Sequence, residues 1–191
     1  MSITDPNWME MRLYMWSVDL LLRPSFRRFV ERMQLSGNET VMDFGCGFGA
    51  CAEYLAGALP SGKVICADIS ESWLHQAQKR LRKFNNVSYR LGDITQHDNP
   101  RGEIDVIIIH HMLHDTAMEE RESILQALGR LLKPSGRLVI REPIKQCHGL
   151  PAEEIRRLMA CGGLAEERYE LRSSLFRAKD YEGVYRPQPV I

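Results

Sequence analysis

The sequence predicts an α/β fold in which a doubly wound, mostly parallel sheet of seven strands ends in an antiparallel C-terminal hairpin. Three observations carry this prediction. Short apolar runs alternate with helix-like segments, a glycine-rich bend follows the first of these runs, and two further strand-like runs stand together near the C-terminus. Alternation of strand and helix implies right-handed crossovers and a sheet that is covered on both faces.

Five short runs rich in branched apolar residues are predicted to form the parallel strands. They are residues 40–44, 63–67, 87–91, 104–109 and 137–141. Two later runs, separated by a pair of serines, are predicted to form the hairpin. These are residues 165–172 and 175–185.

Three helices are predicted between the strands, at residues 50–59, 71–83 and 117–132. In the second and third of them, the apolar residues recur at the spacing that places them on one face of a helix. Residues 92–102 are polar and are interrupted by a proline. We therefore predict no clear helix between the third and fourth strands.

Local signals define the ends of the third helix. Thr116 followed by Glu119 has the pattern of a capping box, which stabilises a helix N-terminus through reciprocal hydrogen bonds. Pro134 and Gly136 are predicted to end the same helix, because neither residue favours its continuation.

Further helices are predicted on either side of this core. Pro151 is expected to begin a short helix that Gly162 and Gly163 end. Residues 9–33 are predicted to form one or two amphipathic helices, broken near Pro24.

The chain is expected to be a single domain in three parts. Residues 37–143 form the ligand-binding core, and residues 144–191 form the last helix and the hairpin. Residues 1–36, which are rich in aromatic residues and methionine, form an N-terminal helical lid over an apolar ligand. The alternative is that these N-terminal helices cover one edge of the sheet.

Composition restricts the class of protein. The 191 residues include 25 basic and 25 acidic side chains, so no overall field attracts nucleic acid or an anionic bilayer. The chain lacks a signal-peptide pattern and an apolar run of the ~20 residues that span a bilayer. We therefore expect a soluble protein. We also expect it to be cytoplasmic, because its cysteines form no CxxC pair. These are Cys46, Cys51, Cys66, Cys147 and Cys161.

The glycine bend at residues 45–49 connects the first strand to the next helix. A sharp turn of this kind needs residues that accept positive φ and let a ligand approach the backbone. The amides at the start of the helix then favour a carboxylate or a phosphate. A glycine-rich bend alone is a weak signal, and an ordinary strand-to-helix turn remains an alternative.

Three acidic residues at strand ends restrict the chemical class of the ligand. The string GCGFGA fits a dinucleotide fingerprint, with Asp68 at the spacing of a ribose-binding carboxylate, so an NAD site is one possibility. Asp43 lies two residues before the first glycine, where it would repel a pyrophosphate but attract an ammonium group. A zwitterionic ligand fits better. Asp93 follows the third strand, at the edge where open parallel sheets bind ligands.

With the full string D-x-G-x-G-x-G at residues 43–49, the chain resembles the class I S-adenosylmethionine-dependent methyltransferases, which have a Rossmann-like fold. The similarity covers roughly residues 40–143. The segments ADISESWLHQAQKRL, LGDITQ, IDVIIIHHMLHD and LGRLLKPSGRLVI stand in the order typical of the small-molecule branch that includes the ubiquinone and menaquinone biosynthesis methyltransferases.

This resemblance implies an activity. The protein would transfer a methyl group from S-adenosylmethionine to oxygen, carbon or nitrogen of a small-molecule acceptor, leave S-adenosylhomocysteine as product and need no metal. Two alternatives stay open. The chain can be an NAD-binding oxidoreductase, or a non-catalytic regulatory module that keeps the cofactor-binding fold.

The resemblance also implies which residues bind the methionine and ribose parts of the cofactor. Asp43 and the amides around Gly45 and Gly47 would hold the amino and carboxylate groups. Asp68 would bind both ribose hydroxyls. The remaining positions expected in this loop are Cys46 and Gly49.

Four more residues are implied for the adenine and sulfonium parts. Ile69 would pack on the adenine ring, which Asp93 and the Ile94 amide would also contact. His110 would lie near the sulfonium. Helix or turn capping is the alternative role for the aspartates.

The histidines after the fourth strand are candidates for catalysis. Methyl transfer mainly requires a nucleophile placed about 3 Å from the methyl carbon, and a hydroxyl or acidic-carbon nucleophile also requires a base. Histidine suits that role near neutral pH, which makes His110, His111 and His114 the candidate catalytic residues. Alternatively they line the pocket, and Asp115 caps the next helix.

The acceptor is expected to be a small molecule, apolar or lipid-like. The string IHHMLHD lacks the D/N-P-P-Y/F and Pro-Cys motifs that the resemblance associates with nucleic-acid methylation. A basic patch on the N-terminal helices is the opposing feature, formed by Arg23, Arg27, Arg28 and Arg32. The sequence predicts no oligomeric state.

Overall fold

The computed structural model describes residues 8–96, 101–144, 149–173 and 179–188. Its strands belong to a seven-stranded mixed sheet flanked by helices, which confirms the predicted fold class. The chain separates into two compact units, Met1–Gly92 and Asp93–Ile191. Several predicted features fall partly or wholly outside the described residues, namely the start of the predicted lid, part of the polar connection at residues 92–102, Cys147 and the first residues of the second hairpin strand.

The first unit contains three parallel strands and four helices. In chain order these are α1 (Trp8–Leu21), α2 (Arg23–Arg32), β1 (Thr40–Phe44), α3 (Ala50–Ala58), β2 (Lys63–Asp68), α4 (Glu71–Leu81) and β3 (Val87–Leu91). Strand β2 lies between β1 and β3 and pairs with both in parallel. The predicted strands and helices of this part are confirmed to within two residues.

Side-chain patterns explain why α4 forms where it does. Ser70 caps its N-terminus by accepting a hydrogen bond from the Trp73 amide at 3.2 Å. Leu74, Ala77 and Leu81 then follow at helical spacing and are buried. The helix therefore begins directly after Asp68, at the carboxyl end of β2.

The two N-terminal helices separate at Leu22, as the proline at position 24 predicted. In α2, Phe29 and Val30 are buried, whereas Arg27 and Arg28 are exposed. On α1, Val18 packs in one cluster with two residues from the glycine bend and the start of α3, namely Phe48 and Ala50.

The second unit contains four strands in the order β4-β5-β7-β6. Its elements are β4 (Ile104–His110), a short 3-10 helix (Leu113–Asp115), α5 (Met118–Leu131), β5 (Leu132–Pro143), α6 (Ala152–Cys161), β6 (Leu164–Ser173) and β7 (Lys179–Pro187). Strands β4 and β5 are parallel, and β7 pairs antiparallel with both β5 and β6. The predicted C-terminal hairpin is confirmed.

One prediction about the ends of α5 is wrong, the capping box at its N-terminus. Its N-cap is Ala117, with no side-chain cap, because the Thr116 hydroxyl donates to the carbonyl of Met112 at 3.4 Å instead. At the other end, the helix stops at Leu131, within one residue of the predicted position, and Pro134 and Gly136 lie in the first part of β5, where the pairing with β4 is irregular. A Cβ at Gly136 would lie 3.0 Å from the Asp105 carbonyl oxygen, so close strand contact explains this glycine.

The connection before β4 contains no helix in residues 93–96 and 101–103, and residues 97–100 lie outside the described part. The described helices include none that is long and apolar enough to cross a membrane.

Candidate functional site

The glycine bend is formed by three residues with positive φ. Gly45, Gly47 and Gly49 have φ values of 71°, 52° and 78°. The amides of Gly45 and Cys46 both donate to the carbonyl of Ala67, at 2.8 and 3.1 Å. These bonds attach the bend to the end of β2.

Gly47 and Gly49 are required for different reasons. A Cβ at Gly49 would lie 3.1 Å from Cδ1 of Leu81 and 3.3 Å from Cβ of Ala77, so this glycine permits α3 to approach α4. A Cβ at Gly47 would have no atom within 4 Å. Gly47 therefore borders open space where a ligand can approach the backbone.

Asp68 holds the bend from the end of β2. Its Oδ2 accepts a hydrogen bond from the Gly47 amide at 2.8 Å, and its Oδ1 accepts one from the Ser70 amide at 3.0 Å. A carboxylate offers about four acceptor positions, so these two bonds orient Asp68 without exhausting its capacity. The next residue, Ile69, exposes 59% of its surface. This exposed apolar side chain beside an oriented carboxylate suits a nucleoside.

Asp43 lies at the end of β1 and is buried. Burial, and then the charge of Asp68, raise the pKa of its carboxyl to about 7 from the usual 3.8. Its Oδ2 has no hydrogen-bond partner in the described part of the chain. Such an orphaned acceptor is costly, and a cationic group bound above the bend would offset that cost.

Cys46, predicted as part of the ligand loop, uses its backbone amide internally. Its side chain is buried, and a hydrogen bond with Cys66 and burial raise its pKa. A thiol in this environment packs rather than reacts.

In the second unit, Asp93 shapes a turn. Its Oδ1 accepts from the amide and the hydroxyl of Thr95, both at 2.8 Å, and its Oδ2 accepts from Nε2 of Gln96 at 3.1 Å. Ile94 is buried. The structure thus places Asp93 in the capping role that the sequence left as an alternative.

His110 ends β4, and His111 follows it with a φ of 53°, which is rare for a residue other than glycine. The rings of these two histidines lie 4.5 Å apart. Nε2 of His111 lies 3.2 Å from Oδ2 of Asp180, which also accepts from Nε of Arg141 at 2.8 Å. Although burial opposes its ionisation, the contacts with His111 and Arg141 lower the pKa of Asp180.

His114 is paired with the fully buried Glu142. Its Nδ1 lies 2.6 Å from Oε2 of Glu142, and Oε1 of Glu142 accepts from the amides of Met112 and Leu113 at 2.9 and 2.7 Å. The hydrogen bond with Glu142 raises the pKa of His114, although burial opposes the shift. The structure therefore brings His110, His111 and His114 together.

Comparison with known proteins identifies the family. The profile of a methyltransferase domain family matches residues 41–136, half of the chain. The chain belongs to this methyltransferase domain family. The match spans the glycine bend and the segment that carries His110, His111 and His114, and it leaves the NAD oxidoreductase alternative without support.

Individual methyltransferases are similar to parts of the chain. The ubiquinone/menaquinone biosynthesis C-methyltransferase UbiE of Escherichia fergusonii is 33% identical over 108 residues, which cover 54% of this chain and 42% of that protein. Methyltransferase GfsG of Streptomyces halstedii is 33% identical over 117 residues, 58% of this chain and 40% of that one. The chain thus spans well under half the length of these relatives.

Solved methyltransferase structures share the fold. A TehB-like SAM-dependent methyltransferase from Corynebacterium glutamicum has a TM-score of 0.75 at 19% identity and covers 95% of this chain and 100% of its own. The N-methyltransferase NodS from Bradyrhizobium japonicum, in complex with S-adenosylhomocysteine, has a TM-score of 0.75 at 17% identity, with 91% and 92% covered.

Sequence reasoning missed three charged residues that lie beside His111 and His114, namely Arg141, Glu142 and Asp180, all of which are buried. The first two follow the apolar residues Leu138–Ile140 in the string LVIREP of β5, and charged residues directly after such a run are a detectable signal. Asp180 had no such signal.

Two further predictions concern metals and nucleic acid. Within the described ranges, no group of three or more histidine, cysteine, aspartate or glutamate side chains is arranged to hold a metal ion. In the basic patch, Arg23 donates to the Tyr54 hydroxyl and contacts Glu53, and Arg27 pairs with Glu31. Acidic neighbours thus neutralise part of the positive charge of this patch.

Proposed function

We propose that this protein transfers a methyl group from S-adenosylmethionine to a small-molecule acceptor. The observation that carries the proposal is Asp43, a buried carboxyl with an orphaned oxygen beneath a glycine bend. An amino acid's ammonium group above this bend would stabilise the ionised form of Asp43. Membership of the methyltransferase domain family supports the same conclusion.

Residues of the first unit would bind most of the cofactor. The open space at Gly47 lets the methionine part approach the backbone. Asp68, already oriented by two amides, would accept hydrogen bonds from the ribose hydroxyls, and Ile69 would cover one face of the adenine. Gly45, Cys46 and Gly49 would support this loop through the bonds and packing described above.

By the family resemblance, Asp93 and Ile94 would contact the adenine, and His110 would lie near the sulfonium. When bound, the cofactor supplies a methyl group on a sulfur that is already a good leaving group. The protein's own task is then to orient the acceptor, exclude water and remove a proton where the attacking atom carries one.

The acceptor would be small, with the attacking atom oxygen, carbon or nitrogen. Similar proteins include a C-methyltransferase and an N-methyltransferase, so family similarity does not select among these atoms. The N-terminal helices would act as a lid, because Val18 on α1 packs against Phe48 of the glycine bend. This lid favours an apolar acceptor.

We also infer a reducing compartment, the cytoplasm. The four described cysteines are thiols rather than disulfides, although three of them are buried where oxidation would be slow. The three-part organisation, with residues 1–36 as the lid, stays part of this proposal.

Two measurements test the proposal. Calorimetry with S-adenosylhomocysteine should give micromolar binding, while NADH should give no heat. Incubation with methyl-labelled cofactor and fractionated cell metabolites should transfer label to a small molecule. Binding without transfer to any fraction would favour the non-catalytic regulatory module, and heat with NADH alone would overturn the cofactor assignment.

A further inference from the structure

Buried charge in the second unit is concentrated beside the histidines. Among the described residues of this unit, the charged side chains that are buried are Arg141, Glu142 and Asp180. Each of the two carboxylates contacts a histidine ring nitrogen, Glu142 that of His114 and Asp180 that of His111. Burying two carboxylates costs free energy of folding, and here the buried carboxylates hold the two histidine rings in place.

The two pairs differ in how the carboxylate charge is compensated. Asp180 is shared between His111 and Arg141, whose NH2 group lies 2.8 Å from Oδ2. In the described part of the chain, Glu142 forms an ion pair with His114 alone. The negative charge of Glu142 is therefore directed to the His114 ring, whereas Arg141 neutralises much of the charge that His111 meets.

Glu142 also determines the tautomer of His114. Its Oε1 already accepts from two backbone amides, and its Oε2 faces Nδ1 of His114 at 2.6 Å. Because a carboxylate only accepts, the imidazole proton must lie on Nδ1. The lone pair then lies on Nε2, which makes His114 a base, as in the general carboxylate–histidine arrangement of hydrolases.

The backbone of His111 supports a functional role for this cluster. A φ of 53° costs a non-glycine residue roughly 1–2 kcal/mol. The conformation is held by the hydrogen bond from the His111 amide to the Arg141 carbonyl at 2.8 Å, together with the contact to Asp180. A strained backbone conformation that several surrounding contacts hold in place is typical of functional sites.

We propose that His114 is the base that deprotonates the acceptor, that Glu142 is the residue that positions His114, and that the acceptor is a phenolic or enolic hydroxyl rather than an amine or an aliphatic alcohol. This inference rests on the proposed methyltransferase function. Glu142 acts through His114 and does not itself contact the acceptor.

The choice of hydroxyl follows from proton affinities. A neutral amine attacks through its own lone pair and needs no base before the methyl group arrives, so an oriented carboxylate–imidazole pair gives it little advantage. An aliphatic alcohol, with a pKa near that of water at about 15.7, is too weak an acid for imidazole. A phenol, with a pKa near that of tyrosine at about 10, is within reach of a histidine whose basicity is increased.

The transfer step balances as follows. Nε2 of His114 takes the proton as the O–H bond breaks. The oxygen's electron pair forms the new O–CH3 bond, and the S–CH3 bond breaks with its electron pair remaining on sulfur. His114 then releases the proton to water.

Four groups in the described part of the second unit act on His114 and set the pH range of this step. Glu142 raises its pKa most, Asp115 contributes through its carboxylate 3.4 Å from Nε2, and Arg121, which donates to the His114 carbonyl at 3.2 Å, opposes them. The His111 ring lies 6.4 Å away. Because the base works when deprotonated, kcat/KM should fall as the pH drops through a pKa above the usual 6.5.

The test uses the full chain, a ¹³C-methyl donor and fractionated cell metabolites, with the chemical shift of the transferred methyl group as readout. We expect an O-methyl signal. His114→Ala should lower the transfer rate by about 10²–10⁴-fold, should keep the affinity for S-adenosylhomocysteine within twofold, and should regain activity when imidazole is added. Glu142→Gln should lower the rate by a similar factor and shift the acidic limb to lower pH.

His75→Gln is the matched control, because this histidine lies exposed on α4, and its transfer rate should equal that of the wild type. If Glu142→Gln does not fold, the imidazole rescue of His114→Ala decides the question alone. An N-methyl or C-methyl product, or full activity of His114→Ala, would overturn this inference. No transfer by the wild type to any fraction would instead overturn the proposed function.

Discussion

The Gly47 amide donates a hydrogen bond to Oδ2 of Asp68 across 2.8 Å. This bond joins two parts of the candidate cofactor site that lie 21 residues apart in the chain. Asp68 therefore has two tasks. It keeps the glycine bend in position, and it presents the carboxylate that we propose for the ribose.

Asp68→Ala should weaken binding of S-adenosylhomocysteine by more than tenfold, because a charged hydrogen-bond partner is worth roughly 1.5–3 kcal/mol. Calorimetry on the folded variant measures the effect. Asp105→Ala is the control, since Asp105 stands at the start of β4 and pairs with Lys133 at 2.8 Å, at the opposite end of that strand from His110. Equal affinities for the two variants would contradict the role of Asp68.

Asp43→Asn should stabilise the ligand-free protein at neutral pH. The Asp43 carboxyl has a pKa of about 7 in the fold and 3.8 as its ordinary value, so its stabilising contribution is complete below pH 3.8 and is lost as the pH rises through 7. Asparagine has the same shape and no charge. The difference in Tm between variant and wild type should be near zero at pH 4 and should grow towards pH 8.

Thermal denaturation measures both the gain in stability of Asp43→Asn without ligand and its loss of stabilisation by ligand. Each kcal/mol that the variant gains in free energy of unfolding should raise Tm by about 2–4 °C in a chain of this size. With saturating S-adenosylhomocysteine the order should reverse, because the variant lacks the charge that we propose for the ammonium group. A Tm difference that does not change with pH would show that Asp43 titrates normally.

Gly47→Ala and Gly49→Ala should have separable effects. Both glycines have positive φ, which costs alanine roughly 1–2 kcal/mol. At Gly49 the new methyl group also meets Leu81 and Ala77, so its Tm should fall further. At Gly47 the methyl group enters open space, so ligand affinity should fall more than stability does. Denaturation and calorimetry on both variants compare the two quantities, and identical profiles would contradict this distinction.

Asp19 on α1 forms a salt bridge with Arg80 on α4 at 2.6 Å, and Arg80 also lies 4.7 Å from the centre of the Phe48 ring. Asp19→Ala should therefore loosen α1 and raise the rate of tryptic cleavage at Arg12. We expect a factor of up to about five, since a partly exposed pair contributes at most about 1 kcal/mol.

Glu31→Ala serves as control for this experiment, because it breaks the exposed pair between Arg27 and Glu31 within α2. Its cleavage rate at Arg12 should match the wild type. If Asp19→Ala is cut no faster than this control, the salt bridge does not hold the proposed lid.

Much of the fold was predictable because its signals are local. Apolar runs with branched residues define β1 to β4, and helical spacing defines α4 and α5. A capping signal misled for one helix, since Thr116 bonds the preceding turn instead of α5. Gly136 has a second role that no local pattern shows, because the contact that requires a glycine there comes from a neighbouring strand.

The sequence by itself determined the glycine bend and the positions of Asp43 and Asp68, because strand periodicity and glycine's conformational freedom are properties of short segments. Only the tertiary structure decided which histidines gain carboxylate partners. Glu142 lies 28 residues from His114 and Asp180 lies 69 residues from His111. Parallel pairing of β4 with β5 and antiparallel pairing of β5 with β7 bring these groups together, and no local pattern encodes which distant residues two strands will align.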